Sequence, residues 1–190
     1  MLPKLVLCFL ASSIAAWAAG GIDLTPVPHN TPHEGGAVSD VAFRTAAGIV
    51  TFRPPYHWSS SGDASKAVFR PQNAGAGAEM TITAKPKPIT ESFDPDTVKV
   101  LKAEVERGLP KDAKGVEWGD DEAGLLKMNR HETYRIAFSY SAYSERLMTT
   151  ILFCNFAEMQ LRFELTCRES DFKTLYQDYK ESLYTLSGLK

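Results

Sequence analysis

The stretch Glu145 to Cys167, ERLMTTILFCNFAEMQLRFELTC, restricts the fold more than any other part of the chain. Met159, Leu161, Phe163, Leu165 and Cys167 alternate with Gln160, Arg162, Glu164 and Thr166. A period of two is the signature of a strand with one face buried and one wetter. The preceding residues, Leu147 to Phe156, are apolar on both faces, as in a strand covered on each side. A tight turn near Phe156-Ala157-Glu158 joins the two into a hairpin. One arm is expected near the centre of a sheet, the other nearer an edge or a wetter face.

The rest of the chain supplies partners for that hairpin. Gly48 to Phe52 alternates and ends at Pro54-Pro55, where a ladder donor is lost. Tyr56-His57-Trp58 then turns a corner, followed by a polar turn, SSSGD. Lys66 to Arg70 and Glu79 to Ala84 read as two further strands. Asp94 is an N-cap with Pro95 at the first helical position, and Val98, Leu101, Val105 and Leu109 recur at helical spacing until Gly108 and Pro110. Gly115 to Trp118 predicts a short strand, GDDEAG a turn, and Leu125 to Met128 and Glu132 to Tyr143 more of the sheet. Phe172, Leu175, Tyr176, Tyr179, Leu183 and Leu186 stripe a final helix that Ser170 or Asp171 caps and Gly188 ends. That stripe cannot be left in water, so the helix must lie on the sheet. The order is β-β-β-α-β-β-β-β-α with short connections, which favour antiparallel neighbours. The class is α+β: an antiparallel sheet flanked by helices, an α/β/α sandwich.

The N-terminus reads differently. Lys4, the apolar run Leu5 to Ala15 and the small residues around Ala16-Trp17-Ala18 have the layout of a signal peptide, residues 1–18. The run falls short of the about 20 residues needed to span a bilayer. Cys8 is no lipidation site, because Leu7 precedes it and the apolar run continues past it. The expectation is an exported chain, periplasmic or extracellular, with no stable membrane span after cleavage. Residues 19–45, rich in Pro, Gly and His, are expected to form a flexible leader. Residues 46–190 are expected to form one globular domain. His29 and His33 lie in the leader, where Pro28 and Pro32 prevent a helix that would align them.

Candidate chemistry is sparse. There is no Gly-rich phosphate loop, HExxH, GxSxG or paired CxxC. His131 and Glu132 open a strand, so their side chains point to opposite faces. Asp120-Asp121-Glu122 lacks the spaced acidic ligands of a calcium loop and reads as a solvated turn. Cys154 and Cys167 sit about 20 Å apart along the hairpin, too far for a disulfide, and are expected to be free, packed thiols. No cofactor and no metal ligand set is expected. Without Lys4 the chain carries 20 basic and 23 acidic residues, a balance that argues against a nucleic-acid partner. Tyr56, Trp58, Tyr140 and Tyr143 remain as a candidate binding surface.

The strand running into Phe52-Arg53-Pro54-Pro55-Tyr56-His57-Trp58, the late long hairpin and the closing helix with Phe172, Ser182 and Leu183 resemble the superfamily of PsbP-like, DcrB and Mog-type Ran-binding domains. The resemblance spans about residues 46 to 188. It implies an α/β/α sandwich and a non-enzymatic accessory role, and it carries over no ligand residues, only Pro55 and Trp58 as structural positions. The expected function is an exported accessory domain that binds another envelope or secreted protein. The competing expectation is a small-molecule carrier or hydrolase, with a pocket between sheet and helix lined by Trp58, Tyr134 and Tyr140.

Overall fold

The computed structural model describes residues 21–33, 36–72, 77–87, 93–119, 122–123, 128, 131–156 and 159–189. In chain order the strands are β1 (Ile22–His33), β2 (Gly36–Thr45), β3 (Gly48–Phe52), β4 (Trp58–Asp63), β5 (Lys66–Pro71) and β6 (Glu79–Pro86). Helix α1 (Pro95–Gly108) follows, then β7 (Lys114–Trp118), β8 (Glu122–Ala123), β9 (Thr133–Ala142), β10 (Glu145–Asn155) and β11 (Met159–Arg168). A single 3-10 turn, Glu169–Asp171, leads into α2 (Phe172–Leu183).

The hairpin forms as its pattern requires. β10 and β11 pair antiparallel with Leu152 opposite Phe163 and Cys154 opposite Leu161. The larger sheet runs β4-β5-β6-β11-β10-β9-β7, with β8 paired to β9. β11 therefore lies at the centre and not near an edge. Its alternation comes from uneven cover: Leu161, Phe163, Leu165 and Cys167 are buried, while on the other face Arg162 and Glu164 reach solvent and pair with each other at 2.6 Å.

One face of this sheet packs against α1, where Leu101 and Val105 meet Tyr134, Ile136, Phe138, Tyr140, Ile151 and Phe153. Asp94 starts that helix by accepting the Thr97 N–H at 2.7 Å, a bond that also holds its carboxyl below the ordinary Asp range. The opposite face carries Phe69, Ile82, Leu152, Phe163 and Leu165, covered by α2 through Tyr179 and Leu183. A second sheet, β1-β2-β3, shares that layer and contributes Ile22, Leu24, Val41, Phe43, Val50 and Phe52 to the same core. The sandwich is thus α/β/α with a small sheet beside the second helix.

The small sheet corrects the expected leader. Residues 22–33 and 36–45 are two long paired strands, and the described sheet structure reaches back to Ile22. Their buried apolar anchors come as two isolated pairs, Ile22/Leu24 and Val41/Phe43, with prolines and glycines between them, too few in each strand to display the period of two. Pro26, Pro28 and Pro32 are tolerated because β1 is an edge strand that needs donors on one side only. A register shift between Asp23 and Val27 absorbs the irregular stretch. The strand Gly48–Phe52 belongs to this sheet and not to the larger one. SSSGD is strand β4 rather than a turn, and GDDEAG contains the two-residue strand β8. Of Leu125 to Met128, only Met128 is described; residues 1–18 and Ala157 and Glu158, the site of the expected tight turn, lie outside the described residues.

Helix α2 stops at Leu183, five residues before the glycine expected to end it. The chain beyond becomes a strap on β3. Thr51 and Ser187 exchange both backbone hydrogen bonds at 3.0 Å, and Arg53 N–H donates to Thr185 Oγ1 at 2.8 Å. Gly188 sits at φ +90, and a Cβ there would run into the Ile49 carbonyl oxygen. Gly188→Ala is therefore expected to cost about 1–3 kcal/mol. Gly108→Ala, at an open helical position, is expected to be neutral or stabilising by up to about 1 kcal/mol. Urea denaturation of both variants checks the contrast.

In the core, Leu161→Ala and Phe163→Ala are each expected to cost about 2–5 kcal/mol. Arg162→Ala on the opposite face, which loses only a part-exposed ion pair and a stem over Phe153, is expected to cost under about 1 kcal/mol. Equal shifts in thermal melts would refute the face assignment.

Candidate functional site

Two turns at the same end of the larger sheet hold the exposed tyrosines Tyr56 and Tyr143. Trp58 pairs with Pro71 where β4 starts and β5 ends, and Glu145 pairs with Ala142 where β10 starts and β9 ends. The register through β6 and β11 places both points at one end. At the first, Pro54-Pro55 end β3 and the Trp58 N–H returns to the Pro55 carbonyl at 3.1 Å. His57 takes a left-handed φ of 62, its ring lies 3.8 Å from that of Tyr56, and its carbonyl accepts the Gln72 N–H at 2.8 Å. This geometry turns Trp58 into the core, 9% exposed, and leaves Tyr56 86% exposed.

At the second, Tyr143 and Ser144 have φ of 53 and 63, the two left-handed centres of a type I′ hairpin turn. Both are L-residues with side chains, where glycine or asparagine is preferred. Asp112 braces the turn by accepting the Tyr143 N–H at 3.1 Å. Tyr143 is 73% exposed, whereas Tyr140 is 5% exposed in the core under α1. Burial pushes the Tyr140 phenol above its ordinary value. Between the two turns, Arg168 grips Glu145 through two bonds at 3.0 and 2.7 Å. That pairing lowers the Glu145 carboxyl and raises the Arg168 guanidinium.

Of the four residues expected to form a binding surface, Tyr56 and Tyr143 are exposed, and Trp58 and Tyr140 are core. The pocket expected from Trp58, Tyr134 and Tyr140 does not assemble: Trp58 packs on the α2 side of the sheet, the two tyrosines on the α1 side. The His131 ring rests on Phe156 at 4.9 Å, a packing contact. Asp120 and Asp121 lie outside the described residues. Among the described residues, no group of three or more His, Cys, Asp or Glu is placed to share a metal ion. No helix among them is long and apolar enough to cross a membrane.

Three hollows open among the described residues. One of about 590 Å³ lies along α1 between Lys85, Pro86, Thr97 and Glu104. A second of about 340 Å³ opens over Glu145 and Arg168. The third, of about 380 Å³, is formed by Arg53, Pro54, Pro55 and Tyr56 on one wall and by Asp178, Glu181, Ser182 and Thr185 on the other. It adjoins the exposed tyrosine. Sequence reasoning missed this third hollow, because Asp178 and Glu181 lie more than 120 residues from Tyr56. Only their spacing of three, on the side of α2 away from its apolar stripe, was visible.

Chains of known structure share this architecture. PsbP from the cyanobacterium Synechocystis superposes with a TM-score of 0.55 at 12% identity, covering 83% of this chain and 96% of that one. The Ran-binding protein Mog1p of Saccharomyces cerevisiae gives 0.52 at 7% identity, covering 86% and 96%. LpqN of Mycobacterium tuberculosis, involved in cell envelope biogenesis, gives 0.51 at 18% identity, covering 88% and 92%. The fold is PsbP/Mog1-like. A match confined to residues 46–188 could cover no more than about three quarters of the chain, so the shared PsbP-like fold extends beyond the segment that carried the sequence resemblance. No protein-family model and no curated protein sequence matches this one.

Cys154 and Cys167 are both free and buried. Burial pushes each thiol up to about 12, with repulsion from Asp171 adding at Cys167. An unfolded thiol ionises near about 8.5. Because the folded value is raised, the thiols' contribution is intact below the unfolded value and is lost as pH rises from about 9 toward 12, by up to about 1.4 kcal/mol per pH unit for each. A thiol reagent at pH 7 is expected to modify both cysteines only after unfolding. Urea midpoints are expected to fall between pH 8 and 10.5, less steeply in a Cys154→Ala variant.

Proposed function

We propose that this is an exported, non-enzymatic accessory domain of the cell envelope that works by binding another envelope or secreted protein. The observation that carries the reading is the pair of tyrosines, Tyr56 and Tyr143, left in solvent at one end of the larger sheet on turns held by left-handed residues. Counting strand spacings from β4 to β10 puts them about 20 Å apart. A standard protein interface of about 800 Å² per partner is roughly 30 Å across, so one partner can cover both. Tyrosine is also the residue type that gives a large contact at low ordering cost.

Export is supported by the layout of residues 1–18, and an envelope setting agrees with what is recorded of LpqN. A non-enzymatic role is supported by the state of the reactive groups in the core: the two thiols are protonated at neutral pH, and the Tyr179 hydroxyl is spent on the Phe163 carbonyl at 3.0 Å.

Photo-cross-linking decides the question. With p-benzoylphenylalanine at position 56 or 143, envelope extract is expected to yield a discrete cross-linked protein, and substitution at exposed Val100, on α1 across the larger sheet from α2, is expected to yield none. Tyr143→Ala should abolish capture at position 56 while shifting stability by under about 0.5 kcal/mol. A co-purifying metabolite with no captured protein would overturn the proposal in favour of a carrier.

A further inference from the structure

The hollow beside Tyr56 carries a charge that the fold does not neutralise. Asp178 and Glu181 lie three apart in α2 and share one side of it. Asp178 is half-buried, and among the described residues it has no hydrogen bond or ion pair. Glu181 accepts one hydrogen bond, at 2.9 Å from the neutral amide of Gln177. Lys180, the adjacent cation, is turned away and sits over the Tyr176 ring at 5.0 Å. Arg53 also lines the hollow, but its charge is matched: Nε donates at 2.8 Å to Asp40, whose side chain is 8% exposed. Two carboxylates thus face a proline–tyrosine wall across a cavity of about 380 Å³.

That combination selects its occupant by chemistry. Anions are repelled. A neutral apolar side chain would desolvate Asp178 without giving it a partner, at a cost that cancels the contact. A cation with an apolar stem satisfies both walls, its charge meeting the carboxylates and its methylenes lying on Pro54 and Pro55. Guanidinium fits better than ammonium, because it is planar, stacks on an aromatic face and donates to two carboxylates at once. We propose that this groove docks an arginine-bearing segment of the partner protein, with the guanidinium between Asp178, Glu181 and the Tyr56 ring. The inference rests on the protein-binding reading above and names the chemistry of the partner at that site.

Amide shifts of the ¹⁵N-labelled full chain, titrated with acetyl-Gly-Arg-Arg-Gly-amide, test it. Saturable shifts are expected at Arg53, Tyr56 and His57 and at Asp178 to Thr185, weakening as salt rises. Acetyl-Gly-Glu-Glu-Gly-amide is expected to produce none. Asp178→Asn with Glu181→Gln should weaken the arginine peptide about tenfold or more while leaving the thermal melt unchanged. Tyr56→Leu should weaken it less, by loss of stacking alone. Shifts centred elsewhere, or binding that survives Asp178→Asn with Glu181→Gln, would overturn the proposal. The two readings fail separately. A cross-linked partner whose contact segment lacks arginine removes this inference and leaves protein binding standing. If the arginine peptide binds but no protein is captured, the protein-binding reading fails and the groove is a site for free guanidinium compounds.

Discussion

An eleven-residue strand whose side chains are mostly out of water needs cover on two sides, and β10 sets that demand for the whole chain. Its odd-numbered residues Leu147, Ile151 and Phe153 face α1, and Leu152 and Cys154 face α2 and the small sheet. Neither helix could hold its place without that surface, since each exposes an apolar stripe that water does not tolerate. The hairpin supplies both the floor of one core and the ceiling of the other. The fold follows from the need to close those two surfaces at once, and two helices are too narrow to do it over a seven-strand path. The small sheet β1-β2-β3 closes what α2 leaves open.

That solution creates a mechanical dependence between distant parts of the chain. β3 is held on one edge by β2 and on the other by the strap after α2, through Thr51 and Ser187. Arg53, at the exit of β3, is fixed twice: its backbone by Thr185 and its side chain by Asp40 on β2. The corner that presents Tyr56 therefore inherits its position from the N-terminal hairpin and the C-terminal strap together. The groove between that corner and α2 is a by-product of the same clamp.

What was legible in the sequence divides along physical lines. Regular burial leaves a regular pattern, so β5, β6, β9, β10, β11, both helices and the cap at Asp94 could be read directly. Parity was enough to place Tyr140 with Ile136 and Phe138 on a buried face, and treating it as surface ignored that parity. The N-terminal strands could not be read the same way. Their anchors Ile22, Leu24, Val41 and Phe43 are separated by prolines, glycines and a bulge, and they gain stability from the facing core rather than from their own pattern. β4 failed for a related reason: Ser59 to Asp63 are all exposed, so the strand exists only because β5 supplies a ladder. The groove was invisible because it joins residue 56 to residue 178, and no local pattern encodes that distance.

The two tyrosine turns differ from the other left-handed positions in a way that bears on function. At Gly62 and Gly188 the backbone approaches a neighbouring carbonyl so closely that a Cβ would collide, and glycine is demanded by space. At Tyr143 and Ser144 no such approach exists, and glycine would be easier but is not used. Left-handed L-residues cost of order 1 kcal/mol each, and Asp112 offsets part of that by bonding the turn. A bare hairpin would be better served by Asn-Gly, so folding alone does not account for a large aromatic side chain at this tip. The same holds at the other corner, where His57 bears the left-handed strain and Tyr56 the exposure. Under the proposed function, backbone strain that leaves an aromatic ring in water would be offset at an interface with the partner.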